Sequence, residues 1–325
     1  MVTPIIELDT KDRKLLYELD FHARIPNTQI AHKLGLSKQS VQYRINQLVK
    51  KGVIQGFYPV VNMPALGYIY CRLSMVLKDI TEAEYEQLLE ELKNDKRLFW
   101  IFTTQGNFDI LTVTWAKTIT EFRKTTEDIL AKYGRFIENF EQHIITDVVH
   151  YQHRYLLNKS QTEELHLEET TERKRIDKID EAIIKELCED ARASIVEISS
   201  RIGISARQTL YRIRRMEKEK LILGYRPVID HNKLGYTYFK LWINVHNFTT
   251  KDIHSIKQFM QQRPEVLYYV EGVALPELLD IEIMVKSNQE LQQFVQELRN
   301  KYPKIIGSFK SFMFIKTIKV KYYPF

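Results

Sequence analysis

An internal repeat is the feature that most constrains the fold of this 325-residue chain. Leu8–Leu73 aligns with Ile176–Leu241 without a gap, and 22 of these 66 positions are identical. Self-similarity of this kind indicates a structural unit that occurs twice in the chain. The length also suits several small domains, because a domain usually holds roughly 100–200 residues. We therefore expect two copies of one multidomain unit.

The composition is typical of a soluble globular protein, with 44% hydrophobic and 28% charged residues. The sequence has neither a run of about 18 apolar residues nor a basic-then-apolar leader, which predicts a cytoplasmic protein with no membrane partner. Cys71 and Cys188 lie far apart and outside any C-x-x-C motif, so neither a disulfide framework nor a zinc site is expected. We expect no metal and no cofactor. The net charge of +6 permits an acidic partner.

The first part of each copy has the pattern of a helix-turn-helix. In copy one, an acidic start and an apolar stripe predict a first helix, and Asn27 or Thr28 can cap a short second helix. Gly35 suits the tight turn, Ser37 is a natural N-cap for the third helix, and Gly52 ends it. The segment that follows can form an extended stretch or a small wing.

The third helix has an apolar face and a polar face that carries binding groups. In "SKQSVQYRINQL", the residues Val41, Ile45 and Leu48 share one side. The amides of the opposite side can pair with base edges, and its hydroxyl and basic groups can contact phosphates. Arg44 sits nearer the core edge, where a phosphate contact or an ion pair within the module is expected. The candidate DNA-binding residues of the two third helices are Ser37, Lys38, Gln39, Ser40, Gln42, Tyr43, Arg44, Asn46, Ser205, Arg207, Gln208, Tyr211, Arg212, Arg214 and Arg215.

Positive charge is concentrated on these two helices. The stretch 37–51 holds four basic residues and no acid, and 205–220 holds six basic residues and two acids. One such segment alone is best interpreted as a solvated amphipathic helix. Two capped, glycine-turned copies with the same excess favour a surface that binds nucleic acid.

The second part of each copy follows the order β-α-β-β-α-β, read from apolar periods that switch between 2 and 3.6. That order predicts a ferredoxin-like sheet with both helices on one face. The fold class is therefore α+β, with two copies of a winged helix-turn-helix domain followed by a ferredoxin-like βαββαβ domain. For copy one the predicted strands are 68–77, 98–104, 108–115 and 137–149, and the predicted helices are 81–92 and 120–133.

An acidic segment separates the two copies. The stretch "NKSQTEELHLEETTE" has no strong apolar stripe, which predicts a linker. The predicted domains are a helix-turn-helix at 1–62, a ferredoxin-like domain at 63–157, the acidic linker at 158–175, a second helix-turn-helix at 176–230 and a second ferredoxin-like domain at 231–325.

Several motifs carry a family resemblance. "LDTKDRKLLYEL", "LGLSKQSVQYRINQLVKKGVIQGF" and "ALGY" recur in copy two, and with them the chain resembles the leucine-responsive regulatory protein/AsnC family of transcription regulators. The resemblance implies a DNA-binding domain followed by a domain that dimerises and binds an amino acid or a related effector. "GNFDILTVTW" is similar to the family's turn and implies Gly106, Asn107 and Asp109 as effector-binding residues. In copy two, "ALPELL" interrupts the spacing between Gly272 and Asp280.

The tandem arrangement predicts an intrachain pseudo-dimer, in which the two sheet modules pair as two subunits would and which could assemble further. Both recognition helices would then face adjacent major-groove turns of double-stranded DNA. The helices differ at two reading positions, Gln39 against Arg207 and Asn46 against Arg214. This difference predicts non-identical half-sites, the second favouring guanine.

Two other functions compete with a DNA-binding regulator. Sirohaem decarboxylases resemble the same two-part unit, and in them the strand after the turn carries histidine and tyrosine for a propionate-bearing macrocycle; here neither "FDILTVTW" nor "DIEIMVK" contains histidine. His143, His150 and His153 are expected at the surface or at an interface, not as ligands. The sequence has no Ser/His/Asp set, Walker loop or dinucleotide fingerprint, so we do not expect an enzyme. An assembly protein whose helix-turn-helix has lost its operator is the third possibility.

Overall fold

The computed structural model describes residues 4–160, 163–168, 170, 172–273 and 278–323. Most of the "ALPELL" interruption and four residues of the predicted linker lie outside them. The helices are α1 (Thr10–Leu19), α2 (Asn27–Leu34), α3 (Lys38–Lys50), α4 (Glu82–Asn94), α5 (Ile119–Tyr133), α6 (Lys178–Glu189), α7 (Ile195–Ile202), α8 (Ala206–Lys218), α9 (Thr250–Gln262) and α10 (Asn288–Lys301). The strands are β1 (Ile54–Val61), β2 (Ile69–Leu77), β3 (Leu98–Gly106), β4 (Ile110–Ala116), β5 (Ile137–Tyr151), β6 (Glu164–His166), β7 (Ile222–Ile229), β8 (Thr237–Val245), β9 (Val266–Val273), β10 (Leu278–Val285) and β11 (Ile306–Val320).

Each copy begins with the predicted three helices. Ser37 caps α3, since its side-chain oxygen accepts from the Ser40 backbone N–H at 3.0 Å, and Ser205 caps α8 in the same way. The prediction that Asn27 or Thr28 caps α2 is wrong. Pro26 occupies the N-cap, and its fixed φ of −58° suits a helix start without any side-chain cap. In the described ranges no helix is long and apolar enough to cross a bilayer.

A two-stranded ribbon, β1 with β7, joins the two copies. Ile54 lies opposite Ile229, and Val61 lies opposite Ile222. The repeat alignment makes Ile54 equivalent to Ile222 and Val61 equivalent to Ile229, so the ribbon has a pseudo-two-fold axis through its centre. The sequence predicted an extended stretch or wing in each copy. The extended stretch is confirmed, but its partner is the other copy.

Two arginines repeat this symmetry between the helical modules. Arg24 donates to the carbonyl oxygens of Ala191 and Ala193, and its counterpart Arg192 donates to the carbonyl oxygen of Ala23. The Arg192 guanidinium also donates to the Asn27 side-chain oxygen at 2.8 Å. These bonds fix the first helical module against the second one.

Eight strands form a closed ring of pairings in the order β2, β4, β3, β11, β8, β10, β9, β5 and back to β2. Each copy contributes four consecutive strands in ferredoxin-like order, so the predicted βαββαβ fold is confirmed. The apolar core of α4 and α5 covers the strands of copy one from outside, and that of α9 and α10 covers copy two. The edge strands of the two predicted sheets thus pair with each other on both sides, β3 with β11 and β5 with β9, and the ring encloses a shared interior.

The closed ring contains charged groups that break the symmetry of the two copies. Arg72 of β2 and its counterpart Lys240 of β8 are 2% and 1% exposed. Both bind the fully buried Asp280, Lys240 at 2.7 Å, and Lys240 also binds Glu282 at 2.6 Å. Leu111 lies opposite Ser74 in copy one, and Asp280 lies opposite Trp242 in copy two. Ser74 and Trp242 are equivalent in the repeat, so copy one has a leucine where copy two has the buried aspartate. Both buried cations therefore depend on carboxylates of copy two.

This register shows that Asp280 does not correspond to Asp109, the aspartate of the family turn. Asp280 lies inside a strand, whereas Asp109 precedes β4 and belongs to the turn. Burial acts to raise the pKa of Asp280, but Arg72 and Lys240 more than offset it and hold that pKa below its usual value.

The predicted linker contains the short strand β6, which pairs with the end of β5. The imidazole of His166 contacts the carboxylates of Asp147 at 3.1 Å and Glu164 at 3.2 Å. The hydrogen bond to Asp147 is the main cause that raises the pKa of His166 to about 9. Sequence patterns missed this strand because its three residues are too few to show a period.

We expect an NMR titration to give His166 a pKa near 9 and the Asp147→Asn variant to move it back toward 6.5. Because the folded-state pKa is the higher one, the stabilisation is fully present below pH 6.5 and disappears as the pH rises through about 9. The side chain is 43% exposed, so the gain in stability should stay below about 1 kcal/mol. A His166 pKa that is unchanged in the variant would contradict this assignment.

Candidate nucleic-acid interface

The α3 helix buries one face and presents the other to solvent. Val41, Ile45 and Leu48 are at most 3% exposed and pack in the core of the helical modules. Tyr43, on the opposite side, is 64% exposed. Ser37, Lys38, Gln39, Gln42 and Asn46 are also exposed, and Ser40 is half-buried. The predicted division of this helix into a packing face and an outward polar face is confirmed.

The α8 helix has the same division with a more basic outer face. Thr209, Ile213 and Met216 are buried, while Arg207, Tyr211 and Arg214 are exposed, Tyr211 by 67%. Ser205 and Gln208 form a reciprocal cap at the start of the helix. The exposed tyrosines occupy equivalent positions of the repeat, so both copies present an aromatic hydroxyl at the same place.

Several outer-face side chains are uncommitted. Among the exposed, described DNA-binding candidates, six make no side-chain hydrogen bond or ion pair: Lys38, Gln39, Tyr43, Arg207, Tyr211 and Arg214. Solvated groups of this kind can bind a ligand without first breaking an internal contact, which lowers the cost of binding. Gln42 differs, because it accepts from Asn27 at 2.7 Å and donates to Asn46 at 2.9 Å.

Three predicted DNA-binding arginines are held inside their own modules. Arg44 donates to Asp9 at 2.7 Å and to Asp12 at 2.6 Å, and Arg212 binds Asp177 and Asp180 in the same way. Arg215 also binds Asp180. For Arg44 the sequence had left open an ion pair within the module, and the structure has that pair. The hydrogen bonds to Asp9 and Asp12 raise the pKa of Arg44.

The residues implied as an effector site lie at the end of β3, where Gly106 is the last residue, and in the turn that leads to β4. The Asp109 carboxylate accepts from the Leu77 backbone N–H at 2.7 Å, and Asn107 is exposed. Gly106 has a φ of 131°, and a Cβ added there would lie 2.6 Å from the Ser311 carbonyl oxygen. The turn is therefore built to close against β11, and its role in effector binding stays a prediction.

The three clustered histidines lie at the interface of the two copies but not at the surface. His143, His150 and His153 are 5%, 4% and 5% exposed, and each ring contacts an aromatic ring of copy two. Burial lowers the pKa of His143 to about 3 and those of the other two well below 6.5, so all three are neutral near pH 7. Sequence spacing could not reveal their burial, because residues of the other copy, Trp242, Tyr268 and His231, contribute to it.

Comparison with known families matches both helical modules. Residues 8–55 match the model described as winged helix-turn-helix DNA-binding, and residues 176–217 match the AsnC-type helix-turn-helix domain. These are the segments that contain α1 to α3 and most of α6 to α8. The chain therefore has a helix-turn-helix in each copy.

Single-unit regulators match about one third of the chain. The proline dehydrogenase transcriptional activator of Rhodobacter capsulatus is 33% identical over 118 residues, which are 36% of this chain and 77% of that protein. The HTH-type transcriptional regulator LrpA of Pyrococcus horikoshii is 32% identical over 110 residues, 34% of this chain and 77% of the relative. Regulatory protein AsnC of Haemophilus influenzae is 27% identical over 115 residues, 35% of this chain and 75% of the relative.

A similarity of fold extends over almost the whole chain. The crystal structure of the siroheme decarboxylase NirDL superposes with a TM-score of 0.62 and covers 97% of this chain and 94% of that one, at 11% sequence identity. At that identity the likeness shows the shared fold alone. The repeated helix-turn-helix, the ferredoxin-like sheets and the close single-unit relatives together place this chain in the leucine-responsive regulatory protein/AsnC family of transcription regulators.

Proposed function

We propose that the chain is a sequence-specific transcription regulator that acts in the cytoplasm and binds double-stranded DNA as an intrachain pseudo-dimer. The observation that carries this proposal is the pair of capped third helices with uncommitted polar side chains on their outer faces. The symmetric ribbon relates one helix to the other as a dimer axis relates two subunits. A fused pair needs no second chain for two-site binding, which raises the effective concentration of the second helix at its half-site.

The proposed contacts divide into anchoring and reading groups. Ser37, Lys38 and Ser205 lie at helix N-termini, where backbone N–H groups favour phosphate. Gln39 and Asn46 have the amide geometry that pairs with adenine. Arg207 and Arg214 have the forked guanidinium that pairs with guanine. Arg44, Arg212 and Arg215 stabilise the helices through ion pairs with aspartates of their own modules. Phosphate is a secondary partner for these arginines.

We expect Gln39→Ala and Arg207→Ala to weaken protection of different half-sites. Each variant removes a reading side chain from one helix only, so one half-site should lose affinity by about 1–3 kcal/mol while the other keeps its own contacts. Footprinting of genomic targets with both variants measures this directly. A symmetric palindrome on which the two variants act equally would contradict the proposed half-site difference. Absence of salt-sensitive DNA binding by the intact chain would contradict the regulator itself.

A tetrapyrrole enzyme is the competing function, because the fold likeness to a siroheme decarboxylase is chain-wide. The relatives with the higher sequence identity are regulators. The geometry of the outward third helices suits DNA binding and indicates no role for them in decarboxylation. These observations support the regulator. A purified sample with tetrapyrrole absorbance and decarboxylation, but without salt-sensitive DNA binding, would reverse the ranking.

A further inference from the structure

A cavity of about 470 Å³ lies between the ribbon and the interior of the closed ring. Tyr58 and Val60 of β1 and Pro227 and Ile229 of β7 contribute to its wall, together with residues of the ring strands. Its volume lies within the range of roughly 300–1,000 Å³ that small-molecule sites occupy. Both copies form the wall near the pseudo-two-fold axis, so the cavity is shared and there is room for one molecule per chain.

Aromatic rings dominate this wall. Tyr58 stacks on Tyr322 with the ring centres 3.8 Å apart and an interplanar angle of 7°. Tyr70 contacts Trp115 at 4.8 Å and Trp100 at 5.8 Å. All five of these side chains line the cavity. Flat rings at several inclinations favour a flat, largely apolar guest, because stacked and edge-to-face contacts both add to the burial of its surface.

Hydrogen-bond donors in the wall lack partners. Among the described residues that line the cavity, five groups are buried without a hydrogen-bond partner: the Trp100 and Trp115 indole N–H groups, the Arg72 Nε–H, His150 Nε2 and His153 Nδ1. The Arg226 guanidinium, which can only donate, lies 3.3 Å from His150 Nδ1. Nδ1 must therefore accept, and the proton of the neutral ring sits on Nε2. Four of these five groups, all except His153 Nδ1, are donors, and each leaves about 1–3 kcal/mol of desolvation uncompensated.

The charges of the wall limit the charge of a guest. Arg72 and Lys240 are held by Asp280 and Glu282, as described above. Among the described residues of the wall, Lys316 is the cation that has no ion pair, and Asp230 adds a further carboxylate. A guest with several negative charges would find too few free cations, whereas a neutral molecule or a monoanion matches the wall.

We propose that this cavity binds one flat, largely apolar small molecule that is neutral or singly negative and that carries an acceptor oxygen for the indole N–H groups. An aromatic monocarboxylate is the simplest compound of this class. The site is separate from the turn of Gly106, Asn107 and Asp109, none of which lines the cavity. A propionate-bearing macrocycle does not match this wall, because its several carboxylates exceed the available cations. The inference does not depend on DNA binding.

The test uses the intact chain with 2-naphthoate as probe and naphthalene-2-methylamine as its cationic counterpart. Calorimetry should show one 2-naphthoate bound per chain and binding of the amine weaker by tenfold or more. Trp115→Phe keeps an aromatic side chain but removes the indole N–H, so it should weaken naphthoate binding by roughly tenfold, the loss expected for a hydrogen bond to a charged acceptor. Trp242→Phe is the matched control, since Trp242 is buried in the same ring of strands, has an unpartnered N–H and does not line the cavity.

A second readout is independent of any substitution. The chain has three tryptophans, so a ¹H–¹⁵N spectrum of the indole groups should show three N–H signals. Naphthoate should shift the signals of Trp100 and Trp115 and leave that of Trp242 near its place. No calorimetric binding, equal effects of the two Phe variants, or a shift confined to Trp242 would each overturn the proposal. Loss of DNA binding with naphthoate binding intact would instead overturn the proposed function alone.

Discussion

Replacing Asp280 with alanine should lower the free energy of unfolding by about 3–5 kcal/mol, the cost expected when one partner of a buried ion pair is removed. The substitution leaves the buried Arg72 without its carboxylate and Lys240 with Glu282 alone. It also opens the contact between a strand of copy one and a strand of copy two. Chemical denaturation followed by circular dichroism measures the change.

The pH dependence of this contribution has a definite sign. The folded-state pKa of Asp280 lies below the ordinary 3.8, so the stabilisation is present above that pH and disappears as the pH falls through the lower folded value. Glu127→Ala is the matched control, because Glu127 pairs with Arg123 at 3.1 Å on the surface, where both side chains are more than half exposed. It should cost at most about 1 kcal/mol. Equal losses from the two substitutions would refute the structural role of Asp280.

The double substitution Arg207→Ala/Arg214→Ala should weaken binding to the operator by about 2–6 kcal/mol, since each guanine contact accounts for about 1–3 kcal/mol. Both side chains are exposed and uncommitted, so the variant should keep its stability. Fluorescence anisotropy with operator DNA at fixed salt gives the affinity, and thermal unfolding gives the stability.

A charge-matched control separates reading from simple attraction. Arg123→Ala/Arg135→Ala removes the same charge from sites on and after α5, where the side chains are 68% and 73% exposed. Loss of long-range attraction alone would affect both double variants similarly. If the Arg123/Arg135 variant loses as much affinity as the Arg207/Arg214 variant, α8 does not read bases.

Local features were predictable from the sequence, and features formed between distant segments were not. Ser37 and Ser205 predict the starts of their helices, because a cap acts on the backbone of the first helical turn. The apolar periods of the sheet modules locate their strands. The partner of β1 is the equivalent strand of the other copy, far away along the chain, and no local pattern encodes that pairing. Asp280 illustrates the same limit. Its sequence neighbourhood resembles a turn, and only the register of β10 against β8 reveals a buried charge.

The candidate site divides in the same way. The outward positions of α3 and α8 follow from helical period, so Gln39, Tyr43, Arg207 and Arg214 were predictable. The ion pairs of Arg212 and Arg215 depend on where α6 crosses α8, which period alone does not give. The cavity depends on the ribbon closing over the ring, and its aromatic wall draws on segments from Tyr58 to Tyr322.

Among the described residues, the buried carboxylates inside the ring come from copy two alone, so the two halves of the molecule are not equivalent. A dimer of identical subunits looks the same after half a turn and can lie on DNA either way round. Here the interior of copy one needs Asp280 of copy two, so the halves cannot be exchanged. On the proposed operator the different reading side chains of α3 and α8, Gln39 against Arg207, would then select one orientation, with copy two always over the same end. A regulator of this kind could act on the gene at one side of its site and leave the gene at the other side unaffected.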